Sequence, residues 1–355
     1  MSKLNIKRFV ELMQRSKLVP TEKLRATLVA CKRDHDNQFP RDPEAVAEYV
    51  VDAGLLTQWQ CRHLLAGKHK GFFLGPYKLV DHIATGGMSN VYLAEHIRLL
   101  QPRAIKIFPK RRISKSSYLA RFHREAQSTA SLDHPHIVRT YDFNSQGDLH
   151  YMVMEYVDGQ NLEAMVNESH PLGCEAVASF IAQAARGLQN AHDAGFVHRD
   201  VKPANLIVGN QGVVKVLDLG LVLITGGDPS LTLTHDENVL GTADYLAPEQ
   251  AVNSHEVDPR ADIYGLGCTM YFALTGHAPF TDGTVAERIS KHQTSMPPKI
   301  QHDRPDCPEA LASICTKMLQ KSPDRRQQTC IQVTDELQNW LHDRRGPKLQ
   351  ALSAS

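Results

Sequence analysis

The 355 residues are 42% hydrophobic and 22% charged, enough for two or three folding units and too ordinary for a disordered, collagenous or low-complexity chain. Lys and Arg number 40 against 39 Asp and Glu, so no net field holds a polyanion and nucleic acid is not an expected partner. The seven cysteines form no C-x-x-C pair, which fits reduced thiols in cytosol better than a disulfide framework or a zinc site.

From Lys3 to about Ala66 the pattern is helical, with Leu4, Phe9, Leu12, Met13, Leu24 and Leu28 at helical spacing. Pro43 suits a first helical position behind an Asp42 cap, and Gly54 suits a stop. Thr57 with Gln60 three residues later predicts a capping box for a short helix carrying Trp59, Leu64 and Leu65, ended by Gly67. Residues 1–70 therefore read as a small helical module. Trp59 and the leucines read first as its core, and a docking or self-association surface around Trp59 is the alternative.

After the basic stretch Lys68-His69-Lys70, Gly71 and Gly75-Pro76 mark a boundary, and β-like runs follow at 77–82, 90–96, 103–108, 137–143 and 149–155. Beyond Asn161 long stretches such as 174–194 and 261–275 read as helices. The most apolar run, 213–224, is broken by Lys215 and Asp218 and is shorter than the ~20 residues of a membrane helix. The opening M-S-K-L-N-I-K-R lacks the apolar stretch of a signal peptide, so the expectation is a soluble, cytoplasmic chain, with a frayed tail over 342–355.

Four groups in this order suit phosphoryl transfer, which needs charge held, metal placed and a hydroxyl oriented rather than covalent help. Ala84-Thr85-Gly86-Gly87-Met88-Ser89-Asn90-Val91 lies between two β-like runs, as a hairpin covering phosphates with backbone N–H groups would; alone it is an ordinary turn. Lys106 in an apolar strand can meet α- and β-phosphates, and Glu125 on a helix-like stretch can pair with it. In His198-Arg199-Asp200-Val201-Lys202-Pro203-Ala204-Asn205, Asp200 can accept a hydroxyl proton, Lys202 can neutralise the moving phosphoryl group and Asn205 can reach a metal. Asp218, in D-L-G after a β-like run, suits Mg²⁺.

With Ala247-Pro248-Glu249 added, the order is that of the kinase signature set. From Tyr77 to about Leu341 the chain is similar to the bacterial members of the eukaryotic-like (Hanks-type) serine/threonine protein kinase family. Its N-terminal segment resembles that of planctomycete-type kinases. The resemblance implies an α+β, bilobal protein-kinase fold behind the helical module, with a β-rich lobe over 77–157 and a mostly helical lobe over 158–341. It implies ATP with Mg²⁺ or Mn²⁺, and protein substrates with Ser or Thr acceptors.

By the same resemblance Ile83, Ala84, Gly86, Gly87, Met88 and Ser89 line the nucleotide, while Val91, Ala104 and Ile207 sandwich the base. Met154 looks like the gatekeeper, and Glu155 and Val157 like hinge residues. Asp262 looks like the buried aspartate that braces the catalytic loop, and Arg326 like the partner of Glu249. Lys202 and Thr242 match the serine/threonine branch.

The pattern departs at Ala84 and Ser89, where the family carries glycines, and at Leu219, where it carries phenylalanine. Arg199 before the catalytic aspartate calls for an anionic partner, and Thr232-Leu233-Thr234 resembles the paired threonines phosphorylated in bacterial relatives, so autophosphorylation at Thr232 or Thr234 is expected. Two rival readings are a pseudokinase or scaffold without turnover, and a recruitment module in which the N-terminal helices carry the main function.

Overall fold

The computed structural model describes residues 4–86, 89–109, 132–147, 149–169, 171–217, 243–253 and 257–345. Two compact units make up the chain, Met1–Ile113 with Tyr141–Tyr156, and Ser114–Thr140 with Val157–Ser355.

The first unit opens with helices α1 (Ile6–Ser16), α2 (Thr21–Arg33), α3 (Pro43–Asp52) and α4 (Gln58–Leu65). Asn5 caps α1 by accepting the Arg8 N–H at 2.8 Å. Pro43 takes the first position of α3, where its missing N–H costs nothing, but Asp42 makes no side-chain cap bond. The capping box of α4 is closed: the Gln60 N–H donates to Thr57 Oγ1 at 3.2 Å, and the Thr57 N–H to Gln60 Oε1 at 3.1 Å. Gly54 and Gly67 follow α3 and α4 in the left-handed region, with φ of 66° and 80°, as helix stops without a Cβ penalty.

A six-stranded sheet completes this unit, in the order β1-β2-β3-β4-β6-β5. Its strands are β1 (Phe73–Leu74), β2 (Tyr77–Thr85), β3 (Asn90–His96), β4 (Pro102–Pro109), β5 (Thr140–Gln146) and β6 (Leu149–Glu155). Antiparallel register places Tyr92 opposite Ile105, and Ile105 opposite Val153, so these residues share a face. That face and the helices form one apolar core: Phe9, Leu12, Val50, Trp59 and Leu64 join Phe72, Leu79, Ala94, Ile105 and Val153. Trp59, 7% exposed, lies edge-on to Phe72 and Tyr92, so its indole is core. The helices cover one side of the sheet, because period-two alternation leaves that side apolar.

The second unit carries a three-stranded sheet, β7 (Gly159–Asn161), β8 (Leu206–Gly209) and β9 (Val214–Val216), and eight helices among the described residues. These are α5 (Leu162–Ser169), α6 (Cys174–Asp193), α7 (Pro248–Val252), α8 (Arg260–Thr275), α9 (Val285–Thr294), α10 (Ile300–Asp303), α11 (Glu309–Met318) and α12 (Cys330–Arg345). Helix α6 buries Val177, Ile181, Ala184, Leu188 and Ala191, the i, i+4, i+7 stripe of an amphipathic helix. Helix α8 is buried from Ala261 to Leu274, which is why its sequence shows no polar face. The expected strand over 137–143 is shorter than its pattern: Ile137 bridges Val216 instead, and the ladder of β5 begins at Thr140. Among the described residues no helix is long and apolar enough to cross a membrane.

Candidate active site

In the second unit, a loop follows α6 and contains His198, Arg199, Asp200, Lys202 and Asn205. It is held from below by Asp262, in the first turn of the buried helix α8. Asp262 Oδ2 accepts the His198 N–H at 2.8 Å, and Oδ1 accepts the Arg199 N–H at 2.7 Å. His192 Nε2, at the end of α6, lies 2.7 Å from Asp262 Oδ2. A buried carboxylate is tolerated only when so paired, and each such charge-assisted bond contributes about 1.5–3 kcal/mol. Two of the bonds flank Arg199, which is held at φ 65°, a left-handed conformation disfavoured for any residue with a Cβ. Its carbonyl accepts from Gln250 Nε2 at 2.8 Å.

The His198 ring is a second brace. Nε2 meets the Leu217 carbonyl at 2.7 Å and so carries the proton, leaving Nδ1 to accept the Asp200 N–H at 3.2 Å. Leu217 also donates its N–H to the Asn205 carbonyl at 2.9 Å. The residue immediately before Asp218 is thereby tied to the loop from both sides.

Within the loop, Asp200 Oδ2 lies 2.9 Å from Lys202 Nζ and 3.0 Å from Asn205 Nδ2, which also donates to the Asp200 carbonyl at 2.8 Å. One carboxylate, one ammonium and one amide thus converge. With its NH₂ spent on Asp200, the Asn205 amide presents Oδ1, a hard oxygen donor of the kind Mg²⁺ takes. Gly265 on α8 permits the close approach of the helix to the loop backbone, since a Cβ there would sit 2.8 Å from the Val201 carbonyl.

Below the loop, Arg326 is 2% exposed yet uses all five of its N–H donors. It forks onto Glu249 at 2.6 and 2.8 Å, and reaches the carbonyls of Gln320, Arg260 and Lys321, with its guanidinium over the Tyr264 ring at 4.9 Å. Only guanidinium geometry satisfies that set.

In the first unit, Lys106 on β4 stands opposite Val91 on β3 and Met152 on β6, and Ala104 opposite Leu93 and Met154. Val91, Ala104, Lys106 and Met154 therefore share the sheet face turned away from the N-terminal helices. Ala84 pairs with Val91 on that same face. The Gly86 N–H donates to the Ser89 carbonyl at 2.8 Å, which closes the turn, and space for a Cβ at Gly86 begins 3.6 Å from its nearest neighbour. Ile83 is exposed, and Glu155 ends β6 half-buried. Val157 and Ile207 belong to the second unit, Ile207 on β8 opposite Asn161 and Lys215.

A protein-family model described as "Protein kinase domain" matches residues 77–338. The chain belongs to the protein kinase family. Its kinase domain is 38% identical over 267 residues to serine/threonine-protein kinase PknB of Mycobacterium leprae, a match covering 74% of this chain and 42% of that protein. It is 38% identical over 256 residues to serine/threonine-protein kinase PrkC of Bacillus subtilis, covering 72% of this chain and 39% of PrkC. The chain thus spans about two fifths of the length of these relatives. The crystal structure of the Mycobacterium tuberculosis PknI kinase domain superimposes with a TM-score of 0.59 at 25% identity, over 76% of this chain and 98% of that one. The kinase fold, a β-sheet part followed by a helical part behind four N-terminal helices, is the one described above.

Gly87, Met88, Glu125, Asp218, Leu219, Thr232, Thr234 and Thr242 lie outside the described residues. Two residues of the loop's scaffold were missed by sequence reasoning. His192 reaches Asp262 across 70 residues and Gln250 reaches Arg199 across 51; neither separation leaves a periodic or motif signal, though Gln250 adjoins the A-P-E run.

Proposed function

We propose that the chain transfers the γ-phosphate of ATP to serine or threonine hydroxyls of proteins. The observation that carries this reading is the convergence of Lys202 and Asn205 on Asp200 Oδ2, at 2.9 and 3.0 Å, on a loop braced at two backbone N–H groups by Asp262. In the proposed reaction the acceptor hydroxyl oxygen bonds to the γ-phosphorus as the bond to the bridging β–γ oxygen breaks. The hydroxyl proton passes to Asp200, and ADP leaves. Lys202 offsets the charge spread over the transferring group, and Lys106, oriented by Glu125, holds the α- and β-phosphates. Magnesium, when bound, offsets phosphate charge and draws the chain's oxygens to the nucleotide; Asn205 and Asp218 would hold it. Val91, Ala104 and Ile207 would pack on the base, with Met154 as gatekeeper and Glu155 and Val157 as hinge.

Activation-loop autophosphorylation at Thr232 or Thr234 belongs to the same proposal, with Arg199 as the guanidinium that receives the phosphate. Phosphosite mapping after incubation with Mg-ATP tests it: an active enzyme with no phosphate between Leu221 and Val239 sinks the idea. Thr242 would serve the substrate site. Docking or self-association through the N-terminal helices would use their outer face, since Trp59 is taken up by the core. A cytoplasmic location belongs to the same proposal.

The deciding experiment is phosphate transfer from Mg-ATP to a generic protein substrate by the wild type and by Asp200→Asn. If the wild type transfers no more than the variant, the enzyme reading fails and a scaffold without turnover takes its place.

A further inference from the structure

Strand β2 departs from regular pairing twice. Tyr77, Lys78 and Leu79 pair with His96, Glu95 and Ala94, but Asp81 pairs with Leu93 and Ala84 with Val91, so Val80 and Ile83 are each an extra residue. A bulge leaves backbone groups out of the ladder and resets which face every later side chain takes. With the bulge at Val80, His82 opposes Tyr92 on the helix side and Ala84 opposes Val91 on the Lys106 side. Without it, both would turn over.

The bulge is where α4 touches the strand. Thr57 Oγ1 donates to the Val80 carbonyl at 2.6 Å, and Gln60 Nε2 donates to the Leu79 carbonyl at 2.7 Å. Both side chains are already committed on their other side to the capping box of α4, and Gln60 is 3% exposed. Trp59, between them in sequence, packs on Tyr92, and His82 packs edge-on to the same tyrosine at 5.2 Å. The helix start and the strand bulge therefore share one hydrogen-bonded joint, four residues ahead of Ala84 and the turn at Gly86.

We propose that Thr57 and Gln60 are positioning residues for the glycine-rich turn: the N-terminal helices hold the Val80 bulge, and the bulge holds the register of the hairpin that covers ATP phosphates. This deepens the kinase reading and rests on it for its catalytic consequence, but the register claim concerns the first unit alone. It gives the N-terminal helices a role inside the kinase domain without a partner.

The test is amide hydrogen exchange of the full chain, with KM for ATP and kcat measured alongside, in Thr57→Val, Gln60→Met, Thr57→Ser and the control Asn5→Ala. The control removes a cap of similar strength from α1, away from β2. Losing a bond of this kind should raise exchange of amides 81–86 about fivefold or more. It should raise KM for ATP by a similar factor with kcat nearly unchanged, because the groups on the catalytic loop stay in place. Thr57→Ser keeps the hydroxyl and should restore both values, and Asn5→Ala should leave both at wild type. Exchange over 81–86 that is unchanged in Thr57→Val and Gln60→Met, or raised equally by Asn5→Ala, overturns the proposal even in a fully active enzyme. A wild type no better than Asp200→Asn overturns the kinase reading instead, and the exchange result still decides the joint.

Discussion

Replacing Asp262 by Asn changes one atom type and leaves volume almost unaltered, so its effect isolates hydrogen bonding. Two carboxylate oxygens accept from three donors, at 2.7, 2.7 and 2.8 Å. In Asn one oxygen becomes an NH₂ group and must face an N–H. The less costly orientation turns the amide nitrogen toward Arg199, since the other side would lose both His198 and His192. The loss is one charge-assisted bond, about 1.5–3 kcal/mol, with a donor facing a donor and the remaining bonds weakened by loss of charge. Taken together this is about 3 kcal/mol, against the ~1–2 kcal/mol of strain stored in the left-handed Arg199 backbone. The restraint that holds that strain is then gone, and the loop carrying Asp200 relaxes. At about 1.4 kcal/mol per tenfold in rate, kcat in a steady-state protein phosphorylation assay should fall about 100-fold. KM for ATP should change little, because the proposed nucleotide contacts lie on other elements. A variant that keeps more than a third of the wild-type kcat, with an unshifted thermal melt, would refute the reasoning.

Two further outcomes follow from the same unit. Arg326→Met should destabilise the fold by about 3–5 kcal/mol in urea titration, because the Glu249 carboxylate and three carbonyls lose their donor together; a change below about 1 kcal/mol would mean that solvent replaces the guanidinium. His292 is buried beside Phe280, and its Nδ1 faces the Tyr264 hydroxyl at 2.8 Å. Burial, with the Lys321 charge nearby, pushes its pKa down to about 4. The folded state therefore binds fewer protons than the unfolded chain, so this contribution is complete above the ordinary imidazole value of about 6.5. It is lost as pH falls from there toward 4, at about 1.4 kcal/mol per pH unit. The difference in stability between the wild type and His292→Gln, from melts between pH 7 and 4.5, should show that slope, up to one proton's worth. The comparison sets aside Asp244, whose burial raises its carboxyl to about 6 and acts in the opposite direction.

Residue order alone carried the chemistry-bearing types: a lysine in an apolar strand, an H-R-D-x-K-P-x-N loop, a D-L-G, an A-P-E. It also carried the helix starts and stops of the N-terminal segment, since capping is local: Thr57 with Gln60, Pro43, Gly54 and Gly67 act within one turn of their own positions. Asp42 shows the limit of such reading, as a residue of the right type at the cap position whose side chain makes no cap bond. Ile137 shows another: a β-branched residue in a β-like run pairs with Val216 rather than continuing β5, because a partner 79 residues away competes with local propensity.

What the sequence by itself determined was the inventory and its periodicities: which side chains can accept a proton, bind a phosphate or turn a helix, and which faces must be covered. Tertiary structure decided the distances and the partners. It brought His192 to Asp262 and Gln250 to Arg199. It gave the apolar face of the sheet to the N-terminal helices, and it set Thr57 and Gln60 against the bulge of β2. The physical reason is that caps and alternation are satisfied within a few residues, whereas a buried carboxylate or a stray strand carbonyl takes whichever donor the packed chain brings near, and sequence separation says nothing of that.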